Sequence, residues 1–463
     1  MPYKKSLLIV GMLIAVFFMI LAPMDAQDAS APQSAIDGQS LAQATKSPLN
    51  PAWLAYEQDR MTGKAITRTS TTGESFGLIP STVDLSHIKG KEPSAAALTY
   101  NPSYDLRTVG KVSSVKNQNP YGTCWAFASI ASLESYLMPT ENPNFSEYDM
   151  VMNSQFTRAD PMDDGGSYTM STAYLARWSG PVNEADAPYP GGDVHSANST
   201  IQNTLTTQKH TQEVYFLPRA SATDNNNIKW ALTTKGAVGI GLSWDGAYYG
   251  NSPATYYNPT TSGVGHAVTI VGWDDNYPSS NFHGATAPPG NGAFIVKNSW
   301  GTAWGDSGYF WLSYYDASIQ DLIAAFTAEP ASNYAAIYQY DPLGWVSNYG
   351  YYSTTCWAAN VFTADSSARP LCAVSFYTND VNTQYEVYIY TNPTSGPIGG
   401  TKHIGPTGTM QFPVYHTVKL TSPIPLSAGQ KFSVVVKFKN PAYVYPVAFE
   451  YAVTGYSEGA NAL

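Results

Sequence analysis

Val115-Lys116-Asn117-Gln118-Asn119-Pro120-Tyr121-Gly122-Thr123-Cys124-Trp125-Ala126-Phe127 is the stretch on which the reading of this chain turns. Beyond it Ala126, Ile130, Leu133 and Leu137 recur at helical spacing, which predicts Cys124 at or within one residue of a helix N-terminus. A thiol is a good nucleophile only as thiolate, and the positive end of a helix favours that anion. A lone cysteine is usually a small buried hydrophobe. Here Gly122 and Thr123 break the chain just before the helix and set the sulfur at a turn.

Two later stretches supply partners. In Gly263-Val264-Gly265-His266-Ala267-Val268-Thr269-Ile270-Val271-Gly272-Trp273 a glycine precedes the histidine and an apolar strand follows it. The imidazole is therefore expected at the start of a strand, where a groove reaches it, and histidine supplies a base near neutral pH. In Gly292-Ala293-Phe294-Ile295-Val296-Lys297-Asn298-Ser299-Trp300-Gly301 a second apolar strand ends at Asn298. If the two strands pair antiparallel, the start of one lies beside the end of the other. An amide there can accept the imidazole N–H and leave the other ring nitrogen for the thiol.

In the order Cys, His, Asn these stretches closely resemble the papain family of cysteine peptidases. Its signature includes a Gln ahead of a Cys-Trp pair, a Gly-His-Ala strand and Lys-Asn-Ser-Trp-Gly, and the resemblance spans roughly Tyr104 to Ser313. The separation of Cys124 from His266 agrees with it. By this resemblance the oxyanion-hole glutamine falls on Gln118, the nucleophile on Cys124, the base on His266, the orienting asparagine on Asn298 and the shielding tryptophan on Trp300. It likewise implies that Gly165 and Gly166 form the backbone edge that pairs with extended substrate. Tyr168, Gly241, Val264 and Gly265 then border the pocket for the second residue before the scissile bond. Two of these are glycines and none is charged, so a bulky apolar side chain is the expected occupant. Two cysteines common in the family are replaced here by Tyr121 and Asp163, which removes a cross-link without stranding a thiol.

Working outward, residues 100–329 mix helical and strand patterns as an α+β domain does, in papain's manner a helical half plus a β-barrel-like half. Residues 330–463 carry short alternating runs such as Glu386-Val387-Tyr388-Ile389-Tyr390, separated by turn residues, which suggests an all-β sandwich. This region resembles the lectin-like β-domain attached to some prokaryotic papain-like peptidases. Residues 27–99 are rich in Ser, Thr, Ala and Gln without a sustained period, as a propeptide or linker would be, and lack the long helical pattern of cathepsin propeptides.

At the N-terminus, Lys4 and Lys5 precede an apolar run from Leu7 to Ala22. Residues 1–26 thus have the layout of an export signal, with an uncleaved anchor as the alternative, and the rest of the chain is expected at the cell surface or secreted. In that oxidising setting Cys356 and Cys372 are candidates for a disulfide, since Cys124 is the remaining thiol.

The 463 residues carry 24 Lys plus Arg against 34 Asp plus Glu, a formal charge of −10, which argues against nucleic acid as a partner. No metal or other cofactor is expected. The expected reaction is hydrolysis of peptide bonds through a thioester acyl-enzyme, with a protein or peptide substrate and a carbohydrate or cell-surface ligand for the C-terminal domain. The rival readings are a thiol hydrolase acting on cell-wall amides and a surface adhesin with little or no activity. Neither requires Gln118, Cys124, His266 and Asn298 to occur together.

Overall fold

The computed structural model describes residues 44–64, 69–70, 73–93, 99–191, 205–219, 221–319 and 322–460. The expected export signal at 1–26 lies outside them. Among the described residues no helix is long and apolar enough to cross a membrane.

Five α-helices are formed among these residues: α1 Pro51–Met61, α2 Cys124–Leu137, α3 Glu147–Met152, α4 Tyr168–Ala176 and α5 Asn226–Thr234. Helix α2 is the centre of the domain, with every residue except Tyr136 buried. Its many Ala and Ser residues let neighbouring backbone come close. Ser132 Oγ donates to Ala237 O at 2.6 Å and accepts from Phe326 N at 3.1 Å, which ties the helix to the residue leading into the strand Val238–Trp244 and to the strand Ile323–Phe326. A buried hydroxyl in this position costs little because both of its hydrogen-bonding roles are filled.

The strand that carries His266 as its third residue, Val264–Asp274, pairs antiparallel with Val238–Trp244 on one side and with Ala293–Lys297 on the other. The expected pairing is therefore present, with Thr269 opposite Lys297. Asn298 follows Lys297 and so comes back toward His266.

The C-terminal region is all β. One sheet orders the strands Thr355–Thr363, Lys431–Lys439, Thr383–Thr391 and Thr401–Met410. The facing pair, Leu371–Thr378 and Val414–Ile424, does not stand alone. Val414–Ile424 pairs with Glu213–Phe216 of the preceding domain, Val414 opposite Tyr215 and His416 opposite Glu213, and an eleven-stranded sheet runs through both regions. His416 Nδ1 lies 2.6 Å from Glu213 Oε2 at this seam. The sandwich is thus joined to the peptidase-like domain by backbone hydrogen bonds, which the sequence pattern did not signal.

The expected Cys356–Cys372 disulfide is not formed, and all three cysteines are free thiols. Cys356 lies on Thr355–Thr363, paired with Lys431–Lys439, whereas Cys372 lies on Leu371–Thr378, paired with Val414–Ile424. The residues between them carry the chain from one sheet to the other, so closeness in sequence does not become closeness of sulfurs. Cys356 Sγ contacts Trp357 O at 3.8 Å and Cys372 Sγ contacts Pro370 O at 3.4 Å.

The N-terminal region crosses both domains. Thr45–Lys46 pairs antiparallel with Ser347–Gly350 of the C-terminal region. Helix α1, capped by Asn50 Oδ1 accepting from Ala52 N, sets Trp53 edge-on to Tyr456 at 4.9 Å between ring centroids.

Candidate active site

Cys124 is the first residue of α2 and has no exposed surface. Its Sγ accepts from Ala267 N at 3.3 Å, so the residue after the histidine holds the sulfur. His266 is also fully buried, and its Nε2 lies 2.9 Å from Asn298 Oδ1. That oxygen also accepts from Ser299 N at 2.8 Å, which identifies it as the acceptor and assigns the imidazole proton to Nε2. Nδ1 is left unpartnered and buried. Trp300 stacks on the imidazole, with centroids 4.5 Å apart and planes 16° apart.

Gln118 reaches the same place from the loop before α2. Its backbone N–H donates to Ser299 O at 2.8 Å and its Oε1 accepts from Ser299 Oγ at 2.6 Å. The amide orientation is therefore set, with Nε2 directed into the cleft, where it donates to Tyr121 O at 2.9 Å and Ser75 O at 3.1 Å.

The second partner of Gln118 belongs to the stretch expected to be a propeptide or linker, whose place in the fold the sequence did not indicate. Residues Ser75 to Ile79 run through the cleft and cover all of these groups. Ser75 O accepts from Trp300 Nε1 at 3.2 Å as well as from Gln118. Phe76 sits edge-on to both His266 and Trp300. Leu78 N donates to Gly265 O at 3.1 Å, Gly166 N to Gly77 O at 2.9 Å and Ile79 N to Gly166 O at 3.0 Å. Leu78 and Gly166 form a parallel bridge. Gly165 and Gly166 thus carry an extended strand, as the resemblance implied for substrate, but here the strand is the chain's own. The signal was available: Phe76-Gly77-Leu78-Ile79 is an apolar run inside an otherwise polar stretch.

Two glycines are needed for this fit. A Cβ on Gly77 would lie 1.8 Å from Gly122 O, and one on Gly166 would lie 2.4 Å from the Trp125 ring. Of the remaining expected pocket residues, Gly265 touches Leu78 directly and Val264 is half-buried beside it. Gly241 lies opposite Ala267 in the ladder. Tyr168 is fully buried at the start of α4 and its hydroxyl donates to Ile240 O at 2.9 Å.

The cover controls the electrostatics. Burial pushes the Cys124 thiol up to about 11, although backbone N–H groups of Ala267, Gly77, Trp125 and Leu78 pull the other way. Burial also lowers His266 to about 4, against the favourable bond to Asn298. In the covered state the pair is therefore neutral thiol and neutral imidazole. The groups that Gly77 and Leu78 present to the sulfur are N–H groups, not the carbonyl carbon a nucleophile attacks.

Beneath Asn298 lies a buried ionic cluster that also escaped the sequence reading. Lys116 Nζ binds Glu147 Oε1 at 2.8 Å and Phe145 O at 2.8 Å and lies 3.7 Å from Glu134 Oε1. Lys297 is buried next to it and donates to Ser113 Oγ at 3.0 Å. Burial raises Glu147 to about 7, opposed by Lys116, and lowers Lys297 to about 8. The telling feature in the sequence was a lysine closing the apolar run Ala293-Phe294-Ile295-Val296.

A family model described as papain family cysteine protease matches residues 100–324. Residues 100–324 are a papain-family domain. A second model, lectin like domain, matches residues 337–463. The papain-like part is 28% identical over 211 residues to the senescence-specific cysteine protease SAG12 of Arabidopsis thaliana, covering 45% of this chain and 55% of that protein. It is also 28% identical over 211 residues to cathepsin S of Bos taurus, covering 45% of this chain and 58% of that protein. The chain thus spans somewhat over half the length of these curated relatives. The cysteine protease and lectin-like domains of Cwp84, a surface layer associated protein of Clostridium difficile, share the whole arrangement. That crystal structure superposes with a TM-score of 0.72 at 26% identity, covering 90% of each chain. The fold is therefore a papain-like domain followed by an all-β lectin-like domain.

Proposed function

We propose that this chain is an exported cysteine endopeptidase, made with its cleft closed by its own propeptide. The observation that carries the reading is the buried relay in which Asn298 Oδ1 fixes the Nε2 proton of His266 under the Trp300 ring. That leaves Nδ1 as the base for a thiol seated at the N-terminus of α2. With the cover removed, the thiolate–imidazolium pair forms at the helix end and the sulfur attacks the peptide carbonyl. The oxyanion is held by Gln118 Nε2 and the Cys124 backbone N–H, and His266 protonates the leaving amine. Water then hydrolyses the thioester.

Residues 27–99 act as the propeptide in this reading, with Ser75 to Ile79 as the plug. Leu78 occupies the apolar seat beside Gly265, which supports a preference for a bulky apolar residue at the second position before the cleaved bond. The C-terminal domain, residues 330–463, is assigned to binding carbohydrate or another cell-surface ligand. The likeness to a surface layer associated protein supports action at the cell surface.

The test is labelling of the processed protein with an active-site-directed epoxide, followed by peptide mapping. Modification of Cys124 together with loss of peptide turnover is expected. Turnover at wild-type rate by folded Cys124→Ala protein would overturn the assignment.

A further inference from the structure

The N-terminal region makes a further contact on the C-terminal domain, away from the cleft. His87 lies flat on Tyr443, with ring centroids 3.7 Å apart and planes 9° apart. Its Nε2 is 2.6 Å from Asn379 O, and Lys91 Nζ is 2.6 Å from Asp380 Oδ1. The receiving side is a built pocket. Asn379 and Asp380 have no exposed surface. Asp380 Oδ1 also accepts from Val381 N at 2.8 Å, and Oδ2 from Tyr443 N at 3.3 Å. The Asn379 side chain donates to Asn348 Oδ1 at 2.8 Å and Tyr445 O at 2.6 Å and accepts from Asn440 Nδ2 at 2.9 Å. Each of these supporting groups belongs to the C-terminal domain; Asn348 also bonds Ser47 of the N-terminal region, but its Oδ1 is held within the domain by Trp345 Nε1 at 2.8 Å, which supports the pocket's shape when the N-terminal region leaves.

What leaves with that region is the filling. A buried carboxylate loses its lysine, a backbone carbonyl loses its donor and an aromatic face is uncovered, and each of these favours a replacement partner. The N-terminal region needs two side chains four residues apart to meet these demands, one for the ring face and one for the carboxylate. A pyranose meets both in a single unit. Its C–H face carries the positive edge that complements the negative π face of tyrosine, and its hydroxyls donate to carboxylate and carbonyl oxygens.

We propose that the Tyr443, Asn379 and Asp380 pocket is a saccharide site, that it takes a pyranose face-on against Tyr443, and that residues 87–91 occlude it until the propeptide is released. The proposal rests on the reading of the C-terminal domain as carbohydrate-binding and names its site. Saccharide and propeptide exclude each other there.

The experiment uses the full chain carrying Cys124→Ala, so that the propeptide stays attached, probed on an array of immobilised glucose, galactose, mannose, N-acetylglucosamine and glucosamine pyranosides. His87→Ala with Lys91→Ala in that chain opens the pocket without touching it, and binding to at least one probe should rise about tenfold or more. Adding Tyr443→Ala should return binding to the closed level. Asp380→Asn is the second variant, checked for an unchanged melting temperature. Binding by the opened chain that survives both Tyr443→Ala and Asp380→Asn would overturn the site while leaving the domain's role intact. Equal binding by the opened and closed chains would overturn the occlusion. Absence of binding to every probe by opened, closed and propeptide-free protein would overturn both the site and the carbohydrate reading of the domain.

Discussion

Replacing Gly77 by alanine tests the closed state at its tightest point. The added Cβ would lie 1.8 Å from Gly122 O and 2.1 Å from Gly122 C, where real contacts stay beyond 3.0 Å. Gly122 cannot retreat cheaply, because its N–H is held by Met162 O at 2.9 Å and by Asp163 Oδ1 at 3.1 Å. The segment must therefore lift by roughly 1 Å, which stretches the adjoining hydrogen bonds of 2.9, 3.1 and 3.0 Å out of range. At about 1 kcal/mol net for each of two or three bonds, the closed state loses about 2–3 kcal/mol. Opening should then become about 30- to 150-fold more frequent. The assay is the rate at which iodoacetamide modifies Cys124 in the intact chain, with the site identified by peptide mapping and the chain length by mass. An intact Gly77→Ala chain whose Cys124 is modified as slowly as wild type would refute the steric argument and the assignment of Ser75 to Ile79 as the plug.

Acid should weaken the same closure. Burial lowers His87 on its Tyr443 contact below the ordinary 6.5. A group whose pKa is lowered when covered prefers to be uncovered once protonated, so this part of the closure is favoured above pH 6.5 and weakens as the pH falls below it. A synthetic peptide of residues 70–93 should inhibit the processed enzyme progressively less well below that pH, and inhibition that tightens as pH falls would contradict the sign. Asn298→Ala should lower turnover by roughly 10²-fold at most, within the range of positioned acid–base catalysis, because the His266 ring and its stacking on Trp300 remain. Steady-state kinetics beside Cys124→Ala, which should be inactive, checks the order of the two effects. Cys356 and Cys372 should both alkylate in unfolded protein that has never met a reductant, and recovery of a linked peptide pair on non-reducing mapping would contradict the free thiols of the structure.

The site was legible in the sequence because its parts are local signals. A turn before a helical period placed Cys124, a glycine before an apolar strand placed His266, and a second apolar strand ending in Asn298 needed only antiparallel pairing to bring the two together. The alternating runs after Tyr338 were similarly local and marked a sandwich. Residues whose roles depend on distant partners were not legible in this way. Phe76-Gly77-Leu78-Ile79 has no period that announces a cleft as its destination, and its hydrogen bonds go to Gly166 and Gly265 far along the chain. Glu134 and Glu147 look like ordinary helix charges until the fold buries them beside Lys116 and Lys297.

The three cysteines show the same division. The amino-acid order alone placed Cys124 at the start of a helix and His266 near the start of an apolar strand, because backbone propensity and apolar period act over a few residues. The order could not decide whether Cys356 and Cys372 meet, since that depends on which strand each joins. Only the tertiary structure assigned them to different sheets, extended one of those sheets into the peptidase domain through Val414 and Tyr215, and laid the N-terminal region across both domains. Strand pairing between distant segments is chosen by the burial and shape of the whole chain, and no short window of sequence contains that information.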